Sequence, residues 1–316
     1  MKLAISVSGG GALGIGPLQF MRRLEADLGE KLGVISSAFA GTSTGSIIAS
    51  GLCESMSAEE LYNLYNDNLA AIFTKRKGTL VPELASNYYR YDNTKLHDLL
   101  YENFKGKMDI FNKPIFIPTT FMNGASVEKV WDRSDSWMDR AFAILSSCSA
   151  PTYFDTLNLD GKIFCDGGLW ANDPIMVLEA AINSPKSPDK KICNQMVKEG
   201  YKILAFNTGM IRPNNAPKKK NVLGWLTYIM DEWVARTGNS NYFEACANIG
   251  KEKIFRCAPE VEKAYEMDNL KKVKEVSNIW DKYYDSYDKE EEKKKGKKKT
   301  VGQKVCEFVE STMAKK

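Results

Sequence analysis

Histidine and paired cysteines are the residues that this chain most obviously lacks. Its 316 residues include one histidine, His97, and seven scattered cysteines without a CxxC pair. Zinc sites need clustered Cys or His ligands, and a disulfide framework needs an even set of cysteines. No EF-hand loop occurs either. The sequence therefore predicts no metal site, no disulfide framework and no cofactor, and a reducing compartment.

Long apolar runs are also missing. No stretch approaches the roughly 18 apolar residues that a membrane-spanning helix needs, and the run Leu3–Val7 is too short for the core of a signal peptide. We therefore expect a soluble, cytoplasmic chain that starts at Met1. The net charge is only +4, from 44 Lys and Arg against 40 Asp and Glu, so nucleic acid is not expected as a partner. The oligomeric state is left open.

Strand-like and helix-like segments alternate along the chain. The apolar run Leu3–Val7 predicts a buried strand, and Pro17 opens an amphipathic helix at Leu18–Leu28. The later segments continue the alternation, with strands at Ser36–Ala40, Pro114–Phe121, Val127–Trp131, Lys162–Cys165 and Tyr201–Phe206, and helices capped by Ser57, at Lys95–Phe104, Trp137–Leu145, Pro174–Ile182 and Val305–Met313. This order predicts an α/β fold with a mostly parallel sheet and helices on both faces.

Five glycines lie within the eight residues from Gly9 to Gly16. Gly9, Gly11 and Gly14 match G-x-G-x-x-G between a strand and a helix, which is the context of a dinucleotide-binding loop. Such a site also needs an acidic residue about 20 residues further on, and the segment GVISSAFAG that follows contains none. A nucleotide-binding domain is therefore the weaker alternative. What the glycines do predict is a backbone that turns sharply or approaches a ligand closely.

A second glycine motif, G-x-S-x-G, spans Gly41 to Gly45 and lies between a predicted strand and the helix-like segment SIIASGL. In that context the serine occupies a sharp strand-to-helix turn, with its hydroxyl exposed and helix N-terminal amides beside it. Ser43 is therefore the candidate nucleophile, and Gly41 and Gly45 support the turn.

The base for such a serine is not a histidine. Hydrolases with this motif carry Ser, Asp and His in that order, whereas His97 precedes the later acids. We interpret His97 as a structural or surface residue. The best-placed carboxylate is Asp166, which follows the apolar strand and precedes Gly167 and Gly168. The alternative at this position is an Asp-Gly turn without chemistry.

Together these segments resemble the patatin-like phospholipase family over about residues 1–210. The likeness is carried by the glycine loop, by the G-x-S-x-G motif and by Asp166-Gly167-Gly168, with SCSAPTYF and NDP as further similar segments. The resemblance implies a three-layer α/β/α fold and a phospholipase A-type acyl hydrolase. It implies Ser43 as nucleophile, Asp166 as general base and an acyl-enzyme intermediate.

The resemblance also implies an oxyanion hole built from backbone amides of the first glycine loop. The residues concerned are Gly9, Gly10, Gly11, Ala12, Leu13 and Gly14. The family usually has Arg or Lys where this chain has Leu13, so no positive charge is expected to assist the amides there.

Composition changes near the C-terminus. We predict a catalytic domain over residues 1–265 and a helical, charged extension over 266–316, partly flexible around 288–300, where DKEEEKKKGKKKT is nearly all charge. The resemblance implies a phospholipid or another acyl lipid as substrate. The segment Lys218–Ile229 combines lysines with interfacial aromatics, which favours peripheral contact with anionic membranes. The alternative function is a catalytically silent or ligand-activated scaffold of the same fold.

Overall fold

The computed structural model describes residues 1–74, 89–125, 127–208, 210–211, 221, 225, 228, 234–261, 265–293 and 296–313. These residues form ten strands: β1 Lys2–Val7, β2 Ser36–Gly41, β3 Ile115–Phe121, β4 Glu128–Trp131, β5 Leu157–Leu159, β6 Lys162–Asp166, β7 Tyr201–Phe206, β8 Met210–Ile211, β9 Ile254–Cys257 and β10 Glu260–Val261. The helices over the same residues are α1 Ile15–Leu28, α2 Leu32–Ile35, α3 Thr44–Cys53, α4 Ala58–Ile72, α5 Thr94–Asn103, α6 Arg140–Cys148, α7 Gly168–Ala171, α8 Ile175–Asn183, α9 Lys190–Glu199, α10 Val234–Ile249, α11 Val273–Asp285, α12 Lys289–Glu292 and α13 Val301–Glu310.

Eight of the described strands form one mixed sheet in the order β5-β6-β3-β2-β1-β7-β9, with β4 paired to β3. The pairs β3-β2, β2-β1, β1-β7 and β7-β9 are parallel. Strand β3 pairs antiparallel with both β4 and β6, and β6 pairs antiparallel with β5. The carboxyl ends of β1 and β2 therefore lie together at one edge, which is where ligands bind in open α/β sheets.

Helices cover both faces of this sheet, so the molecule has three layers. Because side chains alternate along a strand, Leu3, Ile5 and Val7 of β1 face the core beneath α1, α3 and α4. Ala4 faces the other way, into a smaller core formed with α8, α9 and α10. The predicted α/β class with a mostly parallel sheet and two helical layers is confirmed.

Most of the predicted elements are found within a few residues of their expected bounds. The predicted helix at Trp137–Leu145 lies later, at Arg140–Cys148. The predicted last helix begins earlier, at Val301, because Thr300 forms a capping box with Gln303. The strand at 162–165 is confirmed, but it joins the sheet in the antiparallel direction.

The residues beyond 265 pack on the same core as the first helix. The buried side chains of α11 and α13, among them Trp280 and Val305, belong to the cluster beneath α1. Arg23 of α1 pairs with Asp285 of α11 at 2.7 Å. Two acids of the charged stretch pair with Lys304 of α13, Asp288 at 2.5 Å and the buried Glu291 at 3.2 Å. The division at 265 stays a prediction about domains, although the two parts share one core.

Most of the predicted membrane-contact segment Lys218–Ile229 lies outside the described residues. Three of its residues are described, and Trp225 is 47% exposed and meets the Tyr228 ring edge-on. No helix within the described ranges is both long and apolar enough to cross a bilayer.

Candidate active site

The candidate nucleophile lies on a tight turn between β2 and α3. Ser43 has φ 53° and ψ −130°, a conformation that non-glycine residues rarely adopt. A Cβ on Gly41 would lie 2.0 Å from the Gly45 carbonyl oxygen, and one on Gly45 would lie 2.1 Å from the Val7 carbonyl oxygen. Both glycines are therefore required for this close approach of backbones. The turn places Ser43 at the N-terminus of α3, whose amides carry partial positive charge.

The candidate base lies at the end of the antiparallel strand β6. Asp166 pairs with Thr119 of β3 and is only 5% exposed. Its Oδ1 accepts a 2.6 Å hydrogen bond from the Gly168 N–H, and its own N–H donates to the Ser149 carbonyl at 3.0 Å. The Thr120 hydroxyl donates to the Asp166 carbonyl at 2.7 Å. Backbone and side chain are thus both held in one orientation.

The two candidate residues meet in the structure. The Ser43 side chain interacts with the Asp166 carboxylate. Burial raises the pKa of Asp166 to about 7, although the Gly168 amide and the Ser43 hydroxyl each lower it. A carboxylate with a pKa near neutrality is matched to accepting and returning a proton at physiological pH.

Ser147 connects the nucleophile turn to the sheet. Its hydroxyl accepts the Ser43 N–H at 3.0 Å and donates to the Pro118 carbonyl of β3 at 2.6 Å. Ser147 is fully buried, so this pair of bonds fixes the distance between Ser43 and the strand beside Asp166. It belongs to the segment SCSAPTYF, which motif resemblance marked without assigning a role to this serine.

The first glycine loop lies directly against the nucleophile. A Cβ on Gly9 would come within 3.0 Å of the Ser43 Cβ and 2.6 Å of the Asn172 Oδ1. The loop leaves β1, turns through the 3-10 turn Gly11–Gly14 and enters α1. Asn172 belongs to the NDP segment, and its side chain also lies close to Gly168, between the loop and the Asp166 turn.

The six backbone amides predicted to form the oxyanion hole differ in whether they are already hydrogen bonded within the protein. The Gly9 N–H donates to the Asn172 carbonyl at 3.0 Å, the Ala12 N–H to the Met267 carbonyl at 2.7 Å and the Leu13 N–H to the Gly10 carbonyl at 3.1 Å. The Gly14 N–H closes the 3-10 turn Gly11–Gly14, in which an amide bonds to the carbonyl three residues earlier. The amides of Gly10 and Gly11 have no such acceptor among the described residues. The set of candidate donors therefore narrows to these two, because an amide already bonded to protein is not available to a substrate oxygen.

The carbonyls of the loop are also held. Thr208 Oγ1 donates to the Gly9 carbonyl at 3.1 Å. The Gly11 carbonyl accepts from Thr44 Oγ1 at 2.8 Å and from the Tyr65 hydroxyl. Sequence reasoning missed Thr208, Tyr65 and Met267, because each is far from the loop in sequence and belongs to no motif. Leu13, at the position where the family usually carries Arg or Lys, packs against the main core.

Next to the site, Asp173 of the NDP segment is buried and pairs with Arg256 of β9 at 3.3 Å. Its Oδ1 accepts from the Ile175 N–H at 3.2 Å, which caps the start of α8. Burial raises the pKa of Asp173, and the charge of Arg256 opposes that rise. Asp173 therefore anchors the chain that follows Asn172 and does not contact Ser43 in any described bond.

His97 lies away from this site. It is on α5, with an exposed side chain that stacks on Tyr101 at 4.3 Å and lies 3.2 Å from Asp98. The interpretation of His97 as a surface residue is confirmed. No cluster of three His, Cys, Asp or Glu side chains that would suit a metal ion occurs in the described part of the chain.

The chain is similar to several known proteins. A family model described as patatin-like phospholipase matches residues 5–179. A cGAMP-activated phospholipase of Pseudomonas aeruginosa is 26% identical over 180 residues, which are 54% of this chain and 53% of that protein. A cGAMP-activated phospholipase of Vibrio cholerae is 28% identical over 198 residues, 55% of each chain. The chain thus spans about half the length of the curated relatives it matches.

Two solved structures are also similar. The crystal structure of VipD from Legionella pneumophila has a TM-score of 0.40 and 11% identity, with 89% of this chain and 67% of that chain covered. The type III effector protein ExoU has a TM-score of 0.37 and 13% identity, with 89% of this chain and 53% of that chain covered.

Proposed function

The chain belongs to the patatin-like phospholipase family, and on that premise we propose that it is a serine lipid acyl hydrolase of the phospholipase A type. The observation that carries the proposal is the pair of a partly exposed Ser43 and the buried Asp166. Ser43 lies on a strained turn at a helix N-terminus, and its side chain interacts with a carboxylate whose pKa of about 7 suits a general base. The dyad needs no histidine and no cofactor.

In the proposed acylation step, the Ser43 Oγ attacks the carbonyl carbon of a fatty-acyl ester while its proton passes to Asp166. The carbonyl oxygen becomes an oxyanion and accepts hydrogen bonds from the Gly10 and Gly11 amides. Each such donor contributes about 3–4 kcal/mol to the transition state in comparable acyl-transfer sites. Collapse of the intermediate breaks the ester C–O bond, and the proton on Asp166 passes to the leaving alcohol.

Deacylation repeats these steps with water. Asp166 accepts a proton from the water that attacks the acyl-enzyme, and the same amides hold the second oxyanion. The Ser43 oxygen then leaves with the proton from Asp166, which releases the fatty acid and restores the dyad. Burial of Asp166 suits both steps, because a carboxylate excluded from water holds its proton more readily than an exposed one.

The proposed substrate is a phospholipid or a related acyl lipid, met by a cytoplasmic protein in peripheral contact with a membrane. The relatives named as phospholipases support this substrate class, and the exposed Trp225 supports a membrane-contact role for Lys218–Ile229. We also retain the proposal that residues 1–265 form the catalytic domain and 266–316 an extension of it.

A fluorophosphonate serine probe tests the dyad directly. The probe is added to the purified protein with and without cGAMP, because the two curated relatives are named for activation by that ligand. Adducts are located by mass spectrometry. We expect labelling at Ser43 that is lost in Ser43→Ala and at least about 100-fold slower in Asp166→Asn. Asp98→Asn, an exposed carboxylate on α5, is the matched control and should label as the unmodified protein does.

A folded protein that takes no label at Ser43 under either condition would contradict the proposed hydrolase. That result would favour the alternative, a catalytically silent scaffold, for which lipid binding unchanged by Ser43→Ala is expected. Labelling only with cGAMP would support the hydrolase and show that its activity requires the ligand.

A further inference from the structure

Thr208 lies beside the glycine loop because of the register between β1 and β7. The two strands are parallel neighbours with Val7 opposite Phe206. Gly9 is the second residue after β1, and Thr208 is the second residue after β7. The residues that leave the two strands therefore emerge at the same level, and Thr208 Oγ1 donates to the Gly9 carbonyl at 3.1 Å.

The peptide that this hydrogen bond holds contains the Gly10 amide. All described peptide bonds are trans, so the Gly9 carbonyl and the Gly10 N–H point in opposite directions in one rigid plane. The Thr208 side chain also packs on Gly10, where a Cβ would lie 2.3 Å from the Thr208 Cγ2. The hydroxyl of Thr208 thus holds this peptide plane at its carbonyl, opposite to the N–H, and the methyl packs on Gly10.

We propose that Thr208 is a positioning residue for the oxyanion hole. It orients the Gly9–Gly10 peptide so that the Gly10 N–H points at the oxygen that becomes negative during acyl transfer. The inference rests on the proposed hydrolase activity, and it concerns a residue outside the segment 5–179 that the family model matches. A misaligned donor loses much of its contribution, since hydrogen bonds weaken steeply with angle.

The second donor peptide is held differently. The Gly10 carbonyl accepts from the Leu13 N–H, a backbone group that side-chain substitution does not remove. Thr44 and Tyr65 bond the Gly11 carbonyl, but the N–H of that peptide belongs to Ala12 and is already bonded to Met267. Within the described residues, Thr208 is therefore the side chain that bonds a donor-bearing peptide of the loop.

Two substitutions distinguish the contribution of the Thr208 hydroxyl from that of the side-chain volume. Thr208→Val keeps the volume and removes the donor, and Thr208→Ser keeps the donor and removes the methyl. With p-nitrophenyl octanoate as substrate, we expect Thr208→Val to lower kcat about 10- to 100-fold with KM within about twofold. Thr208→Ser should stay within about threefold of the unmodified protein. Equal kcat in Thr208→Val and the unmodified protein, or an equal loss in both variants, would overturn the proposal.

An oxyanion-dependent inhibitor supplies a readout that a purely structural role would not move. The Ser43 hydroxyl adds to the carbonyl carbon of an octyl trifluoromethyl ketone, and the resulting oxyanion occupies the oxyanion hole. The matched octyl methyl ketone stays a neutral ketone. We expect the inhibition constant of the trifluoromethyl ketone to rise in Thr208→Val by the same factor as kcat falls. Binding of the methyl ketone should not change. A parallel loss for both ketones would contradict a role in positioning the amide.

Failure of the hydrolase and failure of this inference give different results. If the unmodified protein neither labels nor turns over the ester, the proposed function fails. Hydrogen exchange of the amides in residues 8–14 then decides the role of Thr208. Faster exchange in Thr208→Val but not in Thr208→Ser would support the hold on the loop, and equal exchange in all three proteins would overturn it.

Discussion

At the scale of single residues, the proposed chemistry depends on a carboxylate that has no histidine to assist it. Asp166 is almost completely buried and receives the Gly168 amide at 2.6 Å. Desolvation disfavours its charged form, whereas the Gly168 amide and the Ser43 hydroxyl favour it. The balance leaves the pKa of Asp166 at about 7. An exposed Asp, with a pKa near 4, would be a far weaker base.

The first prediction concerns pH. As the proposed base, Asp166 can accept a proton only when it is ionised, so we expect kcat/KM to fall below pH 7 by about tenfold per pH unit and to level off above it. Ester hydrolysis measured from pH 5 to 9 checks this. His97→Gln should leave the profile unchanged, because His97 is exposed on α5. If the fall of kcat/KM below pH 7 disappears in His97→Gln, the titrating group is the imidazole of His97 and not Asp166.

The second prediction is that the base destabilises the fold. The folded-state pKa of Asp166 lies above the unfolded value of about 3.9. The protonated form therefore folds better, and stability is lost as pH rises from about 4 to about 7. Asp166→Asn should raise the free energy of unfolding by roughly 1–4 kcal/mol at pH 8 and by little at pH 4. Urea denaturation at both pH values measures it, and an equal effect at both would contradict ionisation as the cause.

At this scale, motifs in the sequence predicted Ser43 and Asp166 as candidates, and the structure brings the two side chains together. Their residue types and flanking glycines are local signals. The availability of each loop amide could not be predicted in the same way. Whether an N–H is free depends on the partners that tertiary folding brings to it, here Asn172 and Met267. The same holds for the contact of Thr208, which depends on the register of β7 against β1.

At the scale of elements, one carboxylate joins three helices. Glu25 of α1 accepts the Leu32 N–H at 2.9 Å and the Ala58 N–H at 2.8 Å, at the first residues of α2 and α4. Free amides at helix starts need such partners, and a negative charge is favourable there. The sequence contains no motif for this, because Glu25 lies seven and 33 residues from the amides that it receives.

The third prediction follows from this cap. Glu25→Ala removes the acceptor of two helix-start amides and should lower the free energy of unfolding by about 1–3 kcal/mol. The KM of the ester should stay unchanged, because Glu25 does not contact the site. Chemical denaturation measures the loss, and Glu30→Ala, an exposed acid next to the end of α1, is the control with little expected effect. An equal effect of both variants would argue against capping by Glu25.

Strand positions were predicted well because buried strands are short apolar runs between turns. The direction of β6 was not predictable, since the apolar pattern of Lys162–Cys165 is the same for either direction. The hairpin with β5 makes β6 antiparallel to β5, but its direction relative to β3 is determined by the tertiary pairing of β6 with β3. That direction brings the carboxyl end of β6, and with it Asp166, alongside Thr119 of β3.

At the scale of the whole molecule, the C-terminal helices hold α1 in place. Trp280 of α11 is 1% exposed and meets the Phe20 ring at 6.0 Å. A Cβ on Gly16 would lie 2.1 Å from the Trp280 Cδ1, so the indole lies directly on the backbone of α1. Because α1 continues the glycine loop, the packing of residues after 265 bears on the candidate site.

The fourth prediction tests the domain division. Trp280→Ala should lower the free energy of unfolding by about 3–5 kcal/mol, the cost of removing a large buried side chain. If both parts share one core, far-UV circular dichroism and loss of ester hydrolysis should follow one shared transition. Trp137→Ala, with an indole that is 56% exposed, is the control. Two separated transitions would instead support an extension that folds on its own.

The contact of the Ala12 amide with the Met267 carbonyl has a consequence for biosynthesis. Two of the groups that hold the loop, Thr208 and Met267, follow the loop, Ser43 and Asp166 along the chain, so they are synthesised after all of these. A nascent chain that already carries Ser43 and Asp166 therefore lacks both supports. We expect catalytic competence to arise only after Met267 has been made, which would delay any attack on the lipids of the cell that synthesises the protein.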